Sequence, residues 1–296
     1  MTTTLTLFSP AGVLVNAKAV RLAARRLGAL GFDVEIDGAA LLKQQRFAGD
    51  DEARLDAIHR VAGRAPSIAL ATRGGYGLTR LLDRIDWRRM KRCVEQGTRW
   101  VGHSDMTTLQ LGLLAHSQCR SWAGPLAAAD FGGETVDDVT QSCFLEAMGG
   151  ELEAIGFRTE AGFDGLQARG TLWGGNLYMV CSMLGTAHFP KVRGGVLFLE
   201  DVNEHPYRVE RSLLQLHQAG VLGAQKAIVL GAFTAYKKSP LDRGYTLKSA
   251  IAHLRSVCKT PILTGLPFGH VPTKVCLPIG ARATLLVQGR DVLIGW

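Results

Sequence analysis

Apolar and polar positions along the first 125 residues form a regular succession of strand-like and helix-like segments. The runs "LTLFSP", "DVEID", "SIALAT" and "RWVGHS" are typical of strands, and helical spacing covers about 16–30, about 51–63, and the stretches after Gly77 and after "GHSD". This alternation predicts a parallel sheet with helices on both faces. Ligands bind at the carboxyl ends of the strands in such sheets, where the loops "SPAG", "TRGGYG" and "GHSD" are expected to gather.

The alternation stops over residues 126–168, which carry the glycine- and acid-rich pieces "DFGGETVDD" and "TEAGFDG". It resumes at "ARGTLWGGNL" with mixed parallel and antiparallel patterns, and the final segment "KVCLPIGARATLLVQGRDVLIGW" is typical of β-hairpins. The sequence therefore predicts an α/β protein with a doubly wound, mostly parallel N-terminal domain over 1–125 and a mixed α/β C-terminal domain over 169–296. Residues 126–168 are expected to form a linker or an inter-domain excursion.

Composition is that of a soluble protein with a substantial core. The 296 residues are 47% hydrophobic and 20% charged, and no apolar run approaches the roughly 20 residues that a membrane span needs. The N-terminal stretch lacks the basic head and unbroken apolar core of a secretory signal. We therefore expect a cytoplasmic protein that has no membrane partner.

Cysteines, charge and glycine motifs restrict the ligands to be expected. The six cysteines include no C-x-x-C pair, which favours free thiols over disulfides or zinc, and no paired histidine and carboxylate spacing indicates another metal. The net charge of +8 suits an anionic partner, but the basic residues are dispersed, which favours a small carboxylate-bearing substrate over nucleic acid. Neither G-x-x-x-x-G-K-[ST] nor G-x-G-x-x-G occurs, so no nucleotide cofactor is expected.

The stretch "RWVGHSDMTT" brings Ser104 to a corner between a strand and a helix. The hydroxyl would lie exposed at a helix N-terminus, where developing negative charge is favoured. A serine followed by Asp105 is also an ordinary N-cap, and "GHSD" lacks the second glycine of G-x-S-x-G. By itself this stretch leaves both roles open and favours the cap.

A serine nucleophile needs a base, and three histidines are candidates. His103 is adjacent in sequence, but consecutive strand residues point to opposite faces, so its ring is not expected to reach the hydroxyl. His270 lies in the glycine- and proline-punctuated loop "TGLPFGHVPTK", and His205 in "EDVNEHPY" is its rival. The alternative role for His270 is a loop imidazole bonded to its own backbone.

A carboxylate that orients the base would complete such a site. Glu200 and Asp201 follow the apolar run 196–199, which is typical of a buried strand. Because they are adjacent on a strand, only one of them is expected to face a given side.

Two glycine-rich stretches also come between predicted elements. The backbone N–H groups of "RGGYG", residues 73–77, could form a nest for a phosphate or an oxyanion. "LWGGNL", residues 172–177, resembles a tight turn that opens a helix, and the alternative is close backbone packing with Asn176 as a cap.

Taken together, these motifs resemble one family, the serine LD-carboxypeptidases or muramoyltetrapeptide carboxypeptidases, whose relatives include the microcin C immunity peptidases. The resemblance covers nearly the whole chain, in the family's order, through "FAGDDEARLDAI", "RGGYGLTRLLDRIDW", "GHSDMTTLQLGLLAH", "GPLAAADFG", "GTLWGGNL", "VLFLEDVNEHPYRVERSLLQL" and "GLPFGH". It implies a Ser-His-Glu triad, here Ser104, His270 and Glu200, and an active site formed between the two domains.

The resemblance also implies an oxyanion hole of backbone N–H groups, which maps to Gly75 and Asp105. Arg73, Arg208 or Asn176 is expected to hold the terminal carboxylate of the substrate. Family members commonly form homodimers, and no cofactor or metal is implied.

The implied reaction releases the terminal D-alanine of a murein tetrapeptide by cleaving an L,D-peptide bond during cytoplasmic recycling of cell-wall fragments. Two alternatives remain open at this point. One is hydrolysis of an amide in a peptidyl-nucleotide antibiotic such as microcin C. The other is a non-catalytic two-domain protein that binds a small ligand and uses Ser104 as a helix cap.

Overall fold

The computed structural model describes residues 3–296, and over this range the chain forms thirteen strands and eight α-helices. The strands are β1 Thr4–Phe8, β2 Asp33–Ile36, β3 Ile68–Ala71, β4 Arg99–Gly102, β5 Ser121–Ala123, β6 Ala154–Arg158, β7 Gln167–Asn176, β8 Val196–Val202, β9 Ala227–Thr234, β10 Ile262–Thr264, β11 Leu277–Ile279, β12 Arg282–Gln288 and β13 Asp291–Gly295. The helices are α1 Ala17–Ala29, α2 Asp51–Arg64, α3 Trp87–Glu95, α4 Met106–Ser117, α5 Asp138–Gly149, α6 Leu177–Ser182, α7 Pro206–Gln218 and α8 Leu247–Val257.

Two compact units divide the chain. The first comprises the chain up to Glu151 together with Thr186–Pro190 and Pro272–Ile279, and the second comprises Leu152–Gly185, Lys191–Val271 and Gly280–Trp296. The first unit therefore includes two short segments from the C-terminal half of the chain. The domain boundaries drawn from the sequence remain a prediction.

The first unit is built on a six-stranded sheet in the order β11-β5-β4-β3-β1-β2. Its strands are parallel except for β11, which runs antiparallel to β5. Phe8 and Trp100 meet edge to face with ring centroids 5.2 Å apart, and both side chains are fully buried. The strand order reverses between β1 and β3, and in open α/β sheets the crevice at such a reversal is where ligands bind.

The second unit is built on a seven-stranded mixed sheet in the order β10-β9-β8-β7-β12-β13-β6. Strands β7 to β10 are parallel neighbours, whereas β6, β12 and β13 pair antiparallel. Strands β12 and β13 form a hairpin, with Gly289 in the left-handed region of its turn. The predicted α/β fold with a mostly parallel and a mixed sheet is confirmed.

The C-terminal segment was expected to form β-hairpins, and this expectation is wrong for Leu277–Ile279. These three residues are buried and join the edge of the sheet in the first unit as β11. Pro278 lacks an N–H group, which an edge strand tolerates because one side of its backbone needs no partner.

The segment after Gly77 also differs from the expected continuous helix. Leu78–Arg80 and Leu82–Arg84 form 3₁₀ turns, and α3 begins only at Trp87. Asp86 fixes this start because its carboxylate accepts a hydrogen bond from the backbone N–H of Arg89 at 2.9 Å.

All six cysteines are free thiols, and five of them are buried, as the sequence predicted. Among residues 3–296, none of the helices combines the length and the apolar character needed to cross a bilayer.

A buried arginine on α2 joins the loops at the carboxyl ends of β1 and β3. The Arg54 side chain is fully buried, pairs with Asp51, and donates through Nη1 to the carbonyls of Pro10 (3.2 Å) and Gly77 (2.9 Å). A second contact, from the Gly12 N–H to the Gly74 carbonyl at 3.1 Å, links the same loops. The predicted gathering of "SPAG" and "TRGGYG" is therefore confirmed.

Arg54→Met should lower the free energy of unfolding by roughly 3 kcal/mol, because it leaves two buried carbonyls without their donor and removes one of the two arginines that pair with Asp51. Arg64→Met on the same helix is the matched control, since the Arg64–Glu35 ion pair is exposed and should contribute less than about 1 kcal/mol. Urea denaturation followed by circular dichroism measures both. Equal losses in the two variants would contradict the anchoring role of Arg54.

Candidate active site

Ser104 lies on a strained corner between β4 and α4. Its φ angle is 63°, in the left-handed region that serine seldom adopts. The N-cap position of α4 belongs to Asp105, and among the described residues nothing forms a hydrogen bond with the Ser104 hydroxyl. Ser104 is half-buried and does not cap the helix, so the cap role that the local sequence favoured is wrong.

The backbone of the "RGGYG" loop passes directly against Ser104. A Cβ atom added to Gly74 would lie 2.6 Å from Ser104 Oγ and 3.2 Å from the backbone nitrogen of Asp105. Only glycine fits at this position, because real side chains do not approach so closely. The space beside the hydroxyl is therefore kept open by the absence of a side chain.

Two backbone N–H groups near this hydroxyl are unused. Over the described range, neither Gly75 nor Asp105 donates its backbone N–H to another group. Gly75 has a φ of 86°, so its orientation also depends on glycine. Unpartnered donors at a helix start can stabilise negative charge that develops on a ligand.

The Asp105 side chain holds the loop and the corner together. Its carboxylate is buried and accepts the backbone N–H of Leu78 at 2.8 Å. Burial raises the pKa of this carboxyl to about 7, although Leu78 and Arg54 favour the charged form. Arg73, expected to bind the substrate carboxylate, donates Nη1 to the Val13 carbonyl at 2.6 Å and so also braces this loop region.

In the second unit, His270 and Glu200 form a close pair. His270 Nδ1 lies 2.8 Å from Glu200 Oε2, and the Glu200 side chain is fully buried while that of His270 is 23% exposed. Glu200 lies on β8, and His270 on the loop after β10. A carboxylate on Nδ1 leaves Nε2 as the ring nitrogen that can exchange a proton with another group.

Glycines permit the close approach of this loop to the strand. A Cβ on Gly269 would lie 3.1 Å from Glu200 Oε2, and one on Gly231 would lie 2.4 Å from the Phe268 carbonyl. The Ala232 N–H donates to that same carbonyl at 2.9 Å, which ties the loop to β9. The position of His270 is therefore set by backbone contacts as well as by Glu200.

Asn176 connects the two adjacent acids of β8. Its side-chain nitrogen lies 3.2 Å from Glu200 Oε1 and 3.0 Å from Asp201 Oδ1. The expectation that only one acid would face a given side is wrong here, because one amide nitrogen contacts both carboxylates. The pairing of β8 with β9 also shifts register between Leu199 and Asp201, where β9 carries one extra residue.

Asn176 and Asp201 also define the start of α6. Asn176 Oδ1 accepts the Met179 N–H at 3.2 Å, and Asp201 Oδ2 accepts the Tyr178 N–H at 3.0 Å. Burial raises the pKa of Asp201 to about 6. "LWGGNL" is thus no turn: its glycines lie within β7, where a Cβ on Gly174 would meet the Phe198 carbonyl, and Asn176 is the cap.

The remaining candidate residues have other contacts, outside these clusters. His103 is buried with Nδ1 2.8 Å from the Gly124 carbonyl, as expected for a histidine that does not serve Ser104. His205 pairs with Asp242, and Arg208 contacts Tyr207 and Glu204. In the part of the chain that the structure describes, no three His, Cys, Asp or Glu side chains are arranged to hold a metal ion.

Sequence reasoning missed two functional candidates, Gly74 and Asp201. Gly74 stood within the "RGGYG" loop, but its contact with Ser104 depends on how two separate loops fold. Asp201 was weighed only against Glu200, and its contact with Asn176 depends on the pairing of β7 with β8, which has no local sequence signal.

Each half of the chain matches a domain of a known protein family. The LD-carboxypeptidase N-terminal domain matches residues 5–124, and the LD-carboxypeptidase C-terminal domain matches residues 169–285. The murein tetrapeptide carboxypeptidase of Pseudomonas aeruginosa is 30% identical over 274 residues, which cover 88% of this chain and 86% of that protein.

Solved structures give the same result. The muramoyltetrapeptide carboxypeptidase from Oxalobacter formigenes is 37% identical, with a TM-score of 0.89 and coverage of 99% of this chain and 98% of that one. The microcin C7 self-immunity protein MccF has the same fold at 19% identity, with a TM-score of 0.86 and coverage of 99% and 96%. The two matched domains span most of the sequence, and this chain therefore belongs to the LD-carboxypeptidase family.

Proposed function

We propose that the protein is a serine carboxypeptidase that releases the terminal D-alanine of murein tetrapeptides by cleaving an L,D-peptide bond. The observation that carries this proposal is the state of Ser104. Its backbone is strained, its side chain does not cap the helix, and its hydroxyl lies beside two unused backbone N–H donors. The similarity to murein tetrapeptide and muramoyltetrapeptide carboxypeptidases supports the choice of substrate.

In this mechanism Ser104 Oγ attacks the carbonyl carbon of the bond before D-alanine, and His270 Nε2 accepts the hydroxyl proton. Glu200 accepts the hydrogen bond from His270 Nδ1 and stabilises the imidazolium. The N–H groups of Gly75 and Asp105 would each contribute on the order of 3 kcal/mol to stabilising the oxyanion. His270 then gives its proton to the leaving amine, and water hydrolyses the acyl-serine ester.

Asn176 has a positioning role in this proposal. Its amide hydrogens hold Glu200 Oε1, which leaves Oε2 for His270. These contacts favour positioning over the terminal-carboxylate contact expected from the sequence. Arg73 remains a candidate for that contact.

The proposal also includes a role in the cytoplasmic recycling of cell-wall fragments and the formation of a homodimer.

Ser104→Ala should reduce the release of D-alanine from a defined murein tetrapeptide by at least about 10⁴-fold, because the nucleophile is lost. Mass spectrometry measures the loss of one alanine. Ser117→Ala at the end of α4 is the control and should retain full activity. Release by Ser104→Ala at the wild-type rate would exclude the mechanism, and absence of Ser104 labelling by a serine-reactive phosphonate would favour a non-catalytic binding protein.

Gly74→Ala should reduce kcat/KM by about 100-fold or more, because the new Cβ displaces Ser104 from its position. Gly38→Ala in the same unit is the matched control, since a Cβ there meets no atom within 4 Å. Steady-state kinetics on the tetrapeptide separates the two variants. Similar activity of both would show that the approach of Gly74 to Ser104 has no role in catalysis.

Asp105→Asn should keep activity within severalfold of wild type, because the proposed oxyanion donor is a backbone N–H. Its effect on stability should depend on pH. The pKa of Asp105 rises from its ordinary 3.8 to about 7 on folding, so wild type loses stability as pH rises from about 4 to 7. The free energy of unfolding of the variant relative to wild type should therefore increase over that range and level off above it. Urea denaturation at pH 5, 6, 7 and 8 measures this difference, and a constant difference would refute the shifted pKa.

A further inference from the structure

A cavity of about 860 Å³ lies in the second unit beyond the carboxyl ends of β8 and β9. Its wall begins directly after these strands, with Asn203 following β8 and Ala235 following β9. His205, the alternative to His270 in the sequence analysis, lines the same cavity. The volume is within the range of pockets that bury ligands larger than a single amino acid.

The backbone at this wall is strained. Asn203 has a φ of 63° and Ala235 a φ of 58°, and alanine is unusual in the left-handed region. The Asn203 N–H donates to the Thr234 carbonyl at 2.9 Å, so the two strained residues are held next to each other. Strain of this kind persists where the surrounding structure enforces it and is concentrated at functional sites.

The cavity adjoins the His270–Glu200 pair. Thr234 donates its hydroxyl to the His270 carbonyl at 3.3 Å, and Ala235 is the next residue along the chain. On the other strand, Asn203 follows Glu200 by three residues. A substrate that reacts at His270 can therefore extend into this cavity.

The acidic groups of the cavity already have partners. The Asp242 carboxylate accepts hydrogen bonds from His205 Nε2 at 3.0 Å and from the backbone N–H of Ser239 at 2.7 Å. The bond from Ser239 lowers the pKa of this carboxyl. Glu210 accepts the Tyr245 hydroxyl at 2.6 Å. These carboxylates form the internal structure of the cavity and are occupied by protein donors.

The basic groups are more open. Within residues 3–296, Lys237 has no hydrogen-bond or ion-pair partner. Arg208 lies 3.8 Å from Glu204, and its side chain is 50% exposed. The two cations balance the two carboxylates of the wall in number, but the cations are the charged groups that remain open to a ligand. The rings of Tyr207 and Tyr236 add apolar surface to the wall.

We propose that this cavity binds the acyl part of the peptide substrate through an internal carboxylate, with Lys237 and Arg208 as its cationic partners. This inference rests on the proposed function. The leaving alanine is far smaller than the cavity. The peptide that precedes the cleaved bond, which is the acyl part of the substrate, matches the size of the cavity better. A ligand carboxylate would give Lys237 the partner that it lacks among the described residues, and it would offer Arg208 a shorter contact than the 3.8 Å to Glu204.

The experiment measures binding of a reaction product and needs no turnover. Two peptides serve as probes. The first is the murein tripeptide L-alanyl-γ-D-glutamyl-L-lysine, whose glutamate has a free α-carboxylate, and the second is the same tripeptide with that carboxylate amidated. Calorimetry on wild type should show at least tenfold weaker binding of the amidated peptide. Equal affinity for the two peptides, or no binding of either, would overturn the proposal.

Lys237→Met should weaken binding of the acidic tripeptide at least tenfold and remove the preference over the amidated form. Lys238→Met is the matched control, because Lys238 is the exposed neighbour that does not line the cavity. Equal affinities of the two variants would contradict the role of Lys237. Failure of the proposed function would appear separately, as wild type that binds the tripeptide but releases no D-alanine.

Discussion

The burial of a carboxylate inside the second unit is the constraint on which much of the site depends. Glu200 is fully inaccessible, and an ionised group in that position is stable only when its oxygens have donors. Asn176 serves one oxygen and His270 the other. The same requirement suits the glycine at position 269, where φ is 136° and a Cβ would press against the acid at 3.1 Å.

The first unit satisfies a comparable requirement with a buried cation. Arg54 binds the carbonyls of two loops that follow different strands, and the carboxylate of Asp105 joins one of those loops to the serine corner. The unused N–H groups beside Ser104 thus belong to loops that Arg54 and Asp105 hold in place. A rigid framework with a few unsatisfied donors is the arrangement in which electrostatic stabilisation costs little reorganisation.

The sequence predicted the fold class well because buried strands and amphipathic helices leave local patterns. It failed where a contact joins distant segments: β11 leaves its neighbours in the chain for the other sheet, and Asn176 of β7 contacts both acids of β8. Ser104 shows the same limit, since its local sequence suits a cap and only the folded structure shows that the helix is capped at Asp105 and that no described residue bonds the Ser104 hydroxyl. The resemblance named the triad residues, but neither composition nor spacing could have paired Glu200 with His270.

The path of the chain between the units has a consequence for dissecting the protein. Because β11 comes from residues near the C-terminus, a fragment that ends at Glu151 contains the parallel strands of the first sheet but leaves the edge of β5 without its partner. Exposed strand edges template aggregation. The N-terminal half is therefore expected to be poorly soluble when expressed alone, and a soluble version would need Pro272–Ile279 attached through a designed linker.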